Sequence, residues 1–183
     1  MDVIQRFLKS KNFWVSTFRD LLFGGVVVGA IALGLFAYAG VWPPLVSVDG
    51  TSMLPHMDGG DLVLLQHVDP SQIVTYGTAK PEGYETFSDY GDVIVYRPFG
   101  RTDIAPVIHR AMAYVNQSEP LWPGSVQAPN AGFVTRGDNN YLYDQSSGIC
   151  PNTPVKPEWI LGVARYRIPF LGNIRNLFSF FHL

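Results

Sequence analysis

Ser52 lies in the stretch VSVDGTSMLPHMDGGDLVLL, residues 46–65, at a crowded turn between two apolar runs. A serine hydroxyl is a weak nucleophile at neutral pH and needs a base within hydrogen-bond reach. The histidines are His56, His67, His109 and His182. His56 and His67 belong to the same turn-and-strand region as Ser52, and His182 is at the extreme tail. His109 sits in APVIHRAM, where a rigid apolar strand can aim a side chain. The third component is a carboxylate in TRGDNNYLYD, residues 135–144. Asp138 follows Gly137 and precedes two asparagines, a turn-forming cluster; Asp144 comes six residues later. A carboxylate here can hold an imidazole in one tautomer and stabilise its charged form, as in serine hydrolases. Each residue alone has a plainer reading: a turn serine, a packed strand histidine, an Asp-Asn-Asn turn.

The bulk composition narrows the partners. The chain has 183 residues, enough for one domain and an appendage. Net charge is -2 and no dense Lys/Arg cluster occurs, so nucleic acid is not expected as a partner. Charged residues make up 15%, against about 25% in an average soluble chain. Mean hydropathy is +0.11, which implies that part of the chain sits in lipid. Cys150 has no cysteine to pair with and reads as a small packing residue. No Cys/His spacing resembles a zinc site, and no metal or cofactor is expected.

The appendage is LLFGGVVVGAIALGLFAYAGV, residues 21–41, with no charge in it. At ~1.5 Å per residue it spans about 30 Å, the hydrocarbon core of a bilayer. Trp42 suits the interface, and Pro43-Pro44 ends the helix. Arg6, Lys9, Lys11 and Arg19 precede the span, and the next Lys or Arg is Lys80. By the positive-inside rule, residues 1–20 are cytoplasmic and the rest lies outside. AYA at 37–39 resembles a signal-peptide cleavage site, but the apolar run exceeds the ~7–15 residues of a cleaved signal. The segment reads as an uncleaved anchor of a single-pass cell-membrane protein.

Residues 42–168 read as an extracytoplasmic, mainly β domain. DLVLLQHV (61–68) and DVIVYR (92–97) each follow a Gly-Asp turn; PVIHRAMAYV (106–115), GFVTR (132–136) and WILGVARYRI (159–168) are further strands. Residues 69–90 and 116–131 read as loops by composition. The apolar tail, 169–183, interrupted by Arg175, suits an interfacial helix or a segment packed on the β core.

GTSMLP behind a span, then GDVIVYR, VIHR and GDNN in this order, resemble the type I signal peptidases. The likeness covers the span and residues 46–66, 91–97, 107–110 and 135–144. Where the bacterial branch has a lysine base, this chain has His109, as in the archaeal and endoplasmic-reticulum branch; an archaeal-type enzyme is expected. The resemblance implies Ser52 as nucleophile, His109 as general base, Asp144 as orienting acid and Asp138 in support. It places Thr51, Met53 and the Ser52 backbone N–H around the oxyanion and substrate. Gly50 lacks the hydroxyl found two residues before the nucleophile in some members, leaving Thr51 as a substitute. The implied activity is removal of signal peptides from secretory preproteins after small residues. Membrane lipid and the protein-export machinery are the further partners. The competing reading is a catalytically silent, membrane-anchored β domain that binds exported proteins. A self-cleaving repressor fits less well, because this chain has a span and lacks a helix-turn-helix candidate.

Overall fold

The structure, a computed structural model, describes Gln5 and residues 10–171. It divides between Tyr38 and Ala39 into two units. The first is essentially α1, Phe13–Ala39, 27 residues long and apolar enough to cross a membrane. The helix starts eight residues before the uncharged run. Asn12 Oδ1 accepts from Trp14 N–H at 3.0 Å and caps the first turn. It ends at Ala39 because Gly40, at φ 64°, takes the left-handed conformation that stops a helix. Arg6 and Lys9 of the basic flank, and the tail from residue 172 with Arg175 and His182, lie outside the described residues.

The second unit is mainly β, as its short β-branched runs between turns predict. Its main sheet contains β1 (Leu45–Ser47), β2 (Leu62–Gln66), β5 (Val93–Tyr96), β6 (Val107–Val115), β7 (Gly132–Arg136) and β8 (Ile160–Ile168). The order is β1-β2-β8-β5-β6-β7, with every pair antiparallel. A second sheet is the small hairpin β3 (Glu85–Thr86) and β4 (Asp89–Tyr90). Alternation puts Val93 and Val95 into one apolar cluster and Ile94 and Tyr96 into another. Each such fully buried aliphatic side chain contributes about 1.5–3 kcal/mol.

Residues 69–90 are more ordered than their composition suggests. They form a 3-10 turn (Pro70–Gln72), the helix α2 (Tyr76–Glu82) and the β3–β4 hairpin. Seven residues containing Pro81 are too few to display helical periodicity. The 116–131 segment has turns and one bridge, Pro120 with Gln127.

The two Gly-Asp turns are built alike. Gly60 and Gly91 have φ of 94° and 81°. The buried Asp61 and Asp92 that follow pair with arginines two apart on β8, Arg167 at 3.3 Å and Arg165 at 3.0 Å. β8 therefore clamps the starts of β2 and β5.

In a flat sheet, four inter-strand steps of ~4.8 Å would separate β1 from β6 by about 19 Å. Register shifts at Leu64/Leu65, Val95/Tyr96 and Ala111/Ala113 add local twist. The chain after β1 crosses one face of the sheet, where Val48, Met53 and Met57 pack with Leu65, Val93, Val95 and Ala164, and this carries Ser52 to β6.

Candidate active site

Ser52 follows β1 in a tight turn. Leu54 N donates to Thr51 O at 3.2 Å, and His56 N and Met57 N donate to Met53 O at 3.0 and 2.9 Å. Met53 and Met57 point below the turn into the core, 1% and 0% exposed. Met53 is thus an anchor of the turn and is not among the residues lining the cleft beside Ser52.

On β6, His109 and Arg110 are consecutive, so they face opposite sides of the strand. The segment after β7 supplies one aspartate to each. His109 Nδ1 lies 2.7 Å from Asp144 Oδ2, and His109 Nε2 lies 3.0 Å from Ser52 Oγ. With the proton on Nδ1, the imidazole donates to the carboxylate and accepts from the serine hydroxyl. Asp138 goes to the other face. Its two oxygens accept from Arg110 Nε and Nη2 at 2.8 and 2.7 Å. The structure therefore brings Ser52, His109 and Asp144 into one hydrogen-bonded chain and sets Asp138 apart from His109. Thr51 is exposed, and its carbonyl accepts from Asn139 Nδ2 at 3.1 Å. His67 is exposed on the far end of β2.

Several participants escaped the sequence reading. Tyr96 and Thr135 donate to Asp144 Oδ2 at 2.8 and 2.6 Å, so that oxygen accepts three hydrogen bonds. Both lie in stretches the sequence had already marked, GDVIVYR and TRGD, but nothing local says that they face a carboxylate. Arg110 Nη1 also reaches the carbonyls of Thr86 and Gly91 at 3.0 and 2.8 Å, tying the β3–β4 hairpin to β6. Gly137 approaches closely. A Cβ there would stand 2.5 Å from Ser52 O, 2.8 Å from Asn140 Nδ2 and 2.9 Å from His109 Nε2.

Burial, followed by the Asp144 charge, pushes the Tyr96 phenol far above its ordinary value, so it stays a donor. Burial likewise raises the Cys150 thiol to about 11. Both groups keep their protons when folded and release them more readily when unfolded. Their contribution to stability is complete below the unfolded thiol value of 9.0 and falls as pH rises from there. The unfolding free energy of the detergent-solubilised chain should therefore drop between pH 9 and 11 by up to ~1.4 kcal/mol per pH unit per proton, read as a falling urea midpoint. Cys150→Ala should shift the fall to about pH 10, where an ordinary tyrosine is half ionised. A flat midpoint across that range would contradict the burial argument.

Ser52 and His109 open onto an apolar cleft of ≈ 930 Å³. Leu45, Val46 and Ser47 of β1 line it, as do Val107 and Ile108 of β6. A hydroxyl, an imidazole and a buried carboxylate in line beside such a cleft can carry out acyl transfer on an extended, largely apolar chain.

No protein-family model matches the chain. The chain is similar to the signal peptidase complex catalytic subunit SEC11C of Homo sapiens and of Pongo abelii. Each is 25% identical over 169 residues, covering 91% of this chain and 74% of the relative. That likeness, on a mainly β unit with an apolar N-terminal helix, makes the chain signal-peptidase-like.

Proposed function

We propose that this protein is a membrane-bound serine endopeptidase that removes N-terminal signal peptides from secretory preproteins. The observation that carries the reading is the Ser52–His109–Asp144 chain, at 3.0 and 2.7 Å, beside the apolar cleft. The similarity to signal peptidase catalytic subunits supports the substrate class.

In the proposed reaction, His109 Nε2 takes the Ser52 proton as Oγ attacks the scissile carbonyl. Asp144, held by Tyr96 and Thr135, keeps the imidazole in the right tautomer and stabilises its charge. The Ser52 backbone N–H, with the Thr51 hydroxyl as a second donor, receives the oxyanion; one such donor is worth ~2.7–4 kcal/mol. The imidazolium then protonates the leaving amine, and water completes the cycle.

β1 is an edge strand of the described main sheet and lines the cleft. The substrate adds alongside it as an extended strand, with shallow pockets for small side chains before the cut. Helix α1 anchors the enzyme with its N-terminus in the cytoplasm, and the β unit works on the outer face, on chains delivered by the export machinery.

The test is incubation of the purified full-length protein in detergent with a secretory precursor, followed by sequencing of the new N-terminus. The expected product is one cut after a small residue at the end of the signal peptide. An intact precursor that binds without being cut would replace the protease with a silent binding domain.

A further inference from the structure

A second histidine–aspartate pair stands beside the first and takes no part in the proton transfers. His56 Nδ1 lies 2.7 Å from Asp138 Oδ2, with the two side chains 20% and 3% exposed. The same Asp138 is the bidentate partner of Arg110, which is next to His109 on β6. His56 itself is four residues beyond Ser52. The contacts therefore close a ring: Ser52 to His109, along the strand to Arg110, across to Asp138, through His56 and back to the Ser52 turn.

We propose that His56 is a positioning residue whose hydrogen bond to Asp138 fixes the nucleophile's turn against the strand that carries the base. The proposal rests on the protease reading above. Other contacts set the direction of the effect. The turn is held from below by Met53 and Met57, and Asn139 N donates to the Ser52 carbonyl at 2.8 Å. Arg167 Nη1 reaches the His56 carbonyl at 2.8 Å. Asn139 Nδ2 also donates to the Thr51 carbonyl at 3.1 Å, and His56 adds a tie from the turn's own side chain to the 137–140 loop. Without it, Ser52 can shift relative to His109 while the fold persists.

A cation site is the other use for these groups, because His56, Asp89 and Asp138 offer ligand atoms all within 4.8 Å of one another. The Arg110 guanidinium already takes both Asp138 oxygens and lies 4.0 Å from Asp89, so the cation here belongs to the protein. The tie also survives a change of protonation: a neutral imidazole with its hydrogen on Nδ1 donates to Asp138, as the imidazolium does.

The experiment compares wild type, His56→Ala and His56→Asn as full chains in detergent. The asparagine carboxamide N–H stands close to where Nδ1 stood and can still donate. A 1 Å misplacement of reacting groups costs about 100-fold; for a smaller shift, His56→Ala should lower kcat about tenfold with KM within about twofold. His56→Asn should recover most of the loss. Hydrogen exchange of residues 51–57 and 137–140 should quicken in the alanine variant and stay near wild type in the asparagine variant. Wild-type kcat in His56→Ala, a loss confined to KM, or no recovery by asparagine would overturn the proposal. If the wild type cleaves no precursor, the protease reading fails on its own. The exchange data then still decide the tie: unchanged protection in His56→Ala would end it.

Discussion

Alanine at Ser52 or at His109 should lower the rate of precursor cleavage by about 10⁴-fold or more, and the double variant should be hardly worse than either. The two groups act as one device, since the hydroxyl is inert without its base and the base has nothing to deprotonate without the hydroxyl. Ser52→Ala is the cleaner variant. It removes one oxygen from a turn held by Met53, Met57 and backbone hydrogen bonds, so its melting temperature should match wild type. His109→Ala carries a further cost. His109 is 3% exposed and Asp144 is fully buried, so the carboxylate loses its imidazole and keeps only Tyr96 and Thr135 as side-chain donors. Taking one hydrogen bond from a buried carboxylate costs about 1–3 kcal/mol, which should appear as a lower urea midpoint alongside the lost activity. Cleavage by either variant within tenfold of wild type would remove Ser52 and His109 from the chemistry.

Gly137→Ala should lower the rate about 100-fold, although residue 137 donates and accepts nothing in the reaction. The new methyl would meet Ser52 O at 2.5 Å and His109 Nε2 at 2.9 Å, distances that real Cβ atoms essentially never show. Ser52 O is backbone, so the nucleophile's turn or β6 has to retreat. A displacement near 1 Å between reacting groups costs about 100-fold in rate, and overpacking of this kind costs about 1–3 kcal/mol of stability. The effect should fall on kcat more than on KM, because the clash is at Ser52 and His109 and not at Leu45–Ser47 of β1, which line the cleft. A cleavage assay on Gly137→Ala, with Gly83→Ala as a control, separates the two kinds of glycine. Gly83 ends α2 at φ 71° with open space around its Cβ, so alanine there strains a turn and leaves the site intact. Equal activities in the two variants would refute the close-approach argument.

Much of this protein is written locally in its sequence. An uncharged apolar run yields a helix wherever it sits, and short β-branched stretches between Gly-Asp and Asn-rich turns yield strands, because both signals depend on neighbours within a few residues. The strands at 62–66, 93–96, 107–115, 132–136 and 160–168 fall within the stretches that β-branched content and turn spacing mark. Ser52, His109 and the 138–144 aspartates stood out for the same reason. The start of α1 depends on a single capping contact from Asn12, and α2 is too short to have a period, so neither was legible.

Only the tertiary structure decided how these pieces meet. Ser52 and His109 are 57 residues apart and three strands intervene between β1 and β6, so their 3.0 Å contact exists because the chain after β1 packs across the sheet face. Which aspartate serves which partner follows from the same strand. His109 and Arg110 face opposite sides of β6, and the segment after β7 reaches one side with Asp138 and the other with Asp144. Composition and spacing name the groups that can react; the packing of the nucleophile's turn over the sheet and the alternation of side chains across a strand determine which of them touch.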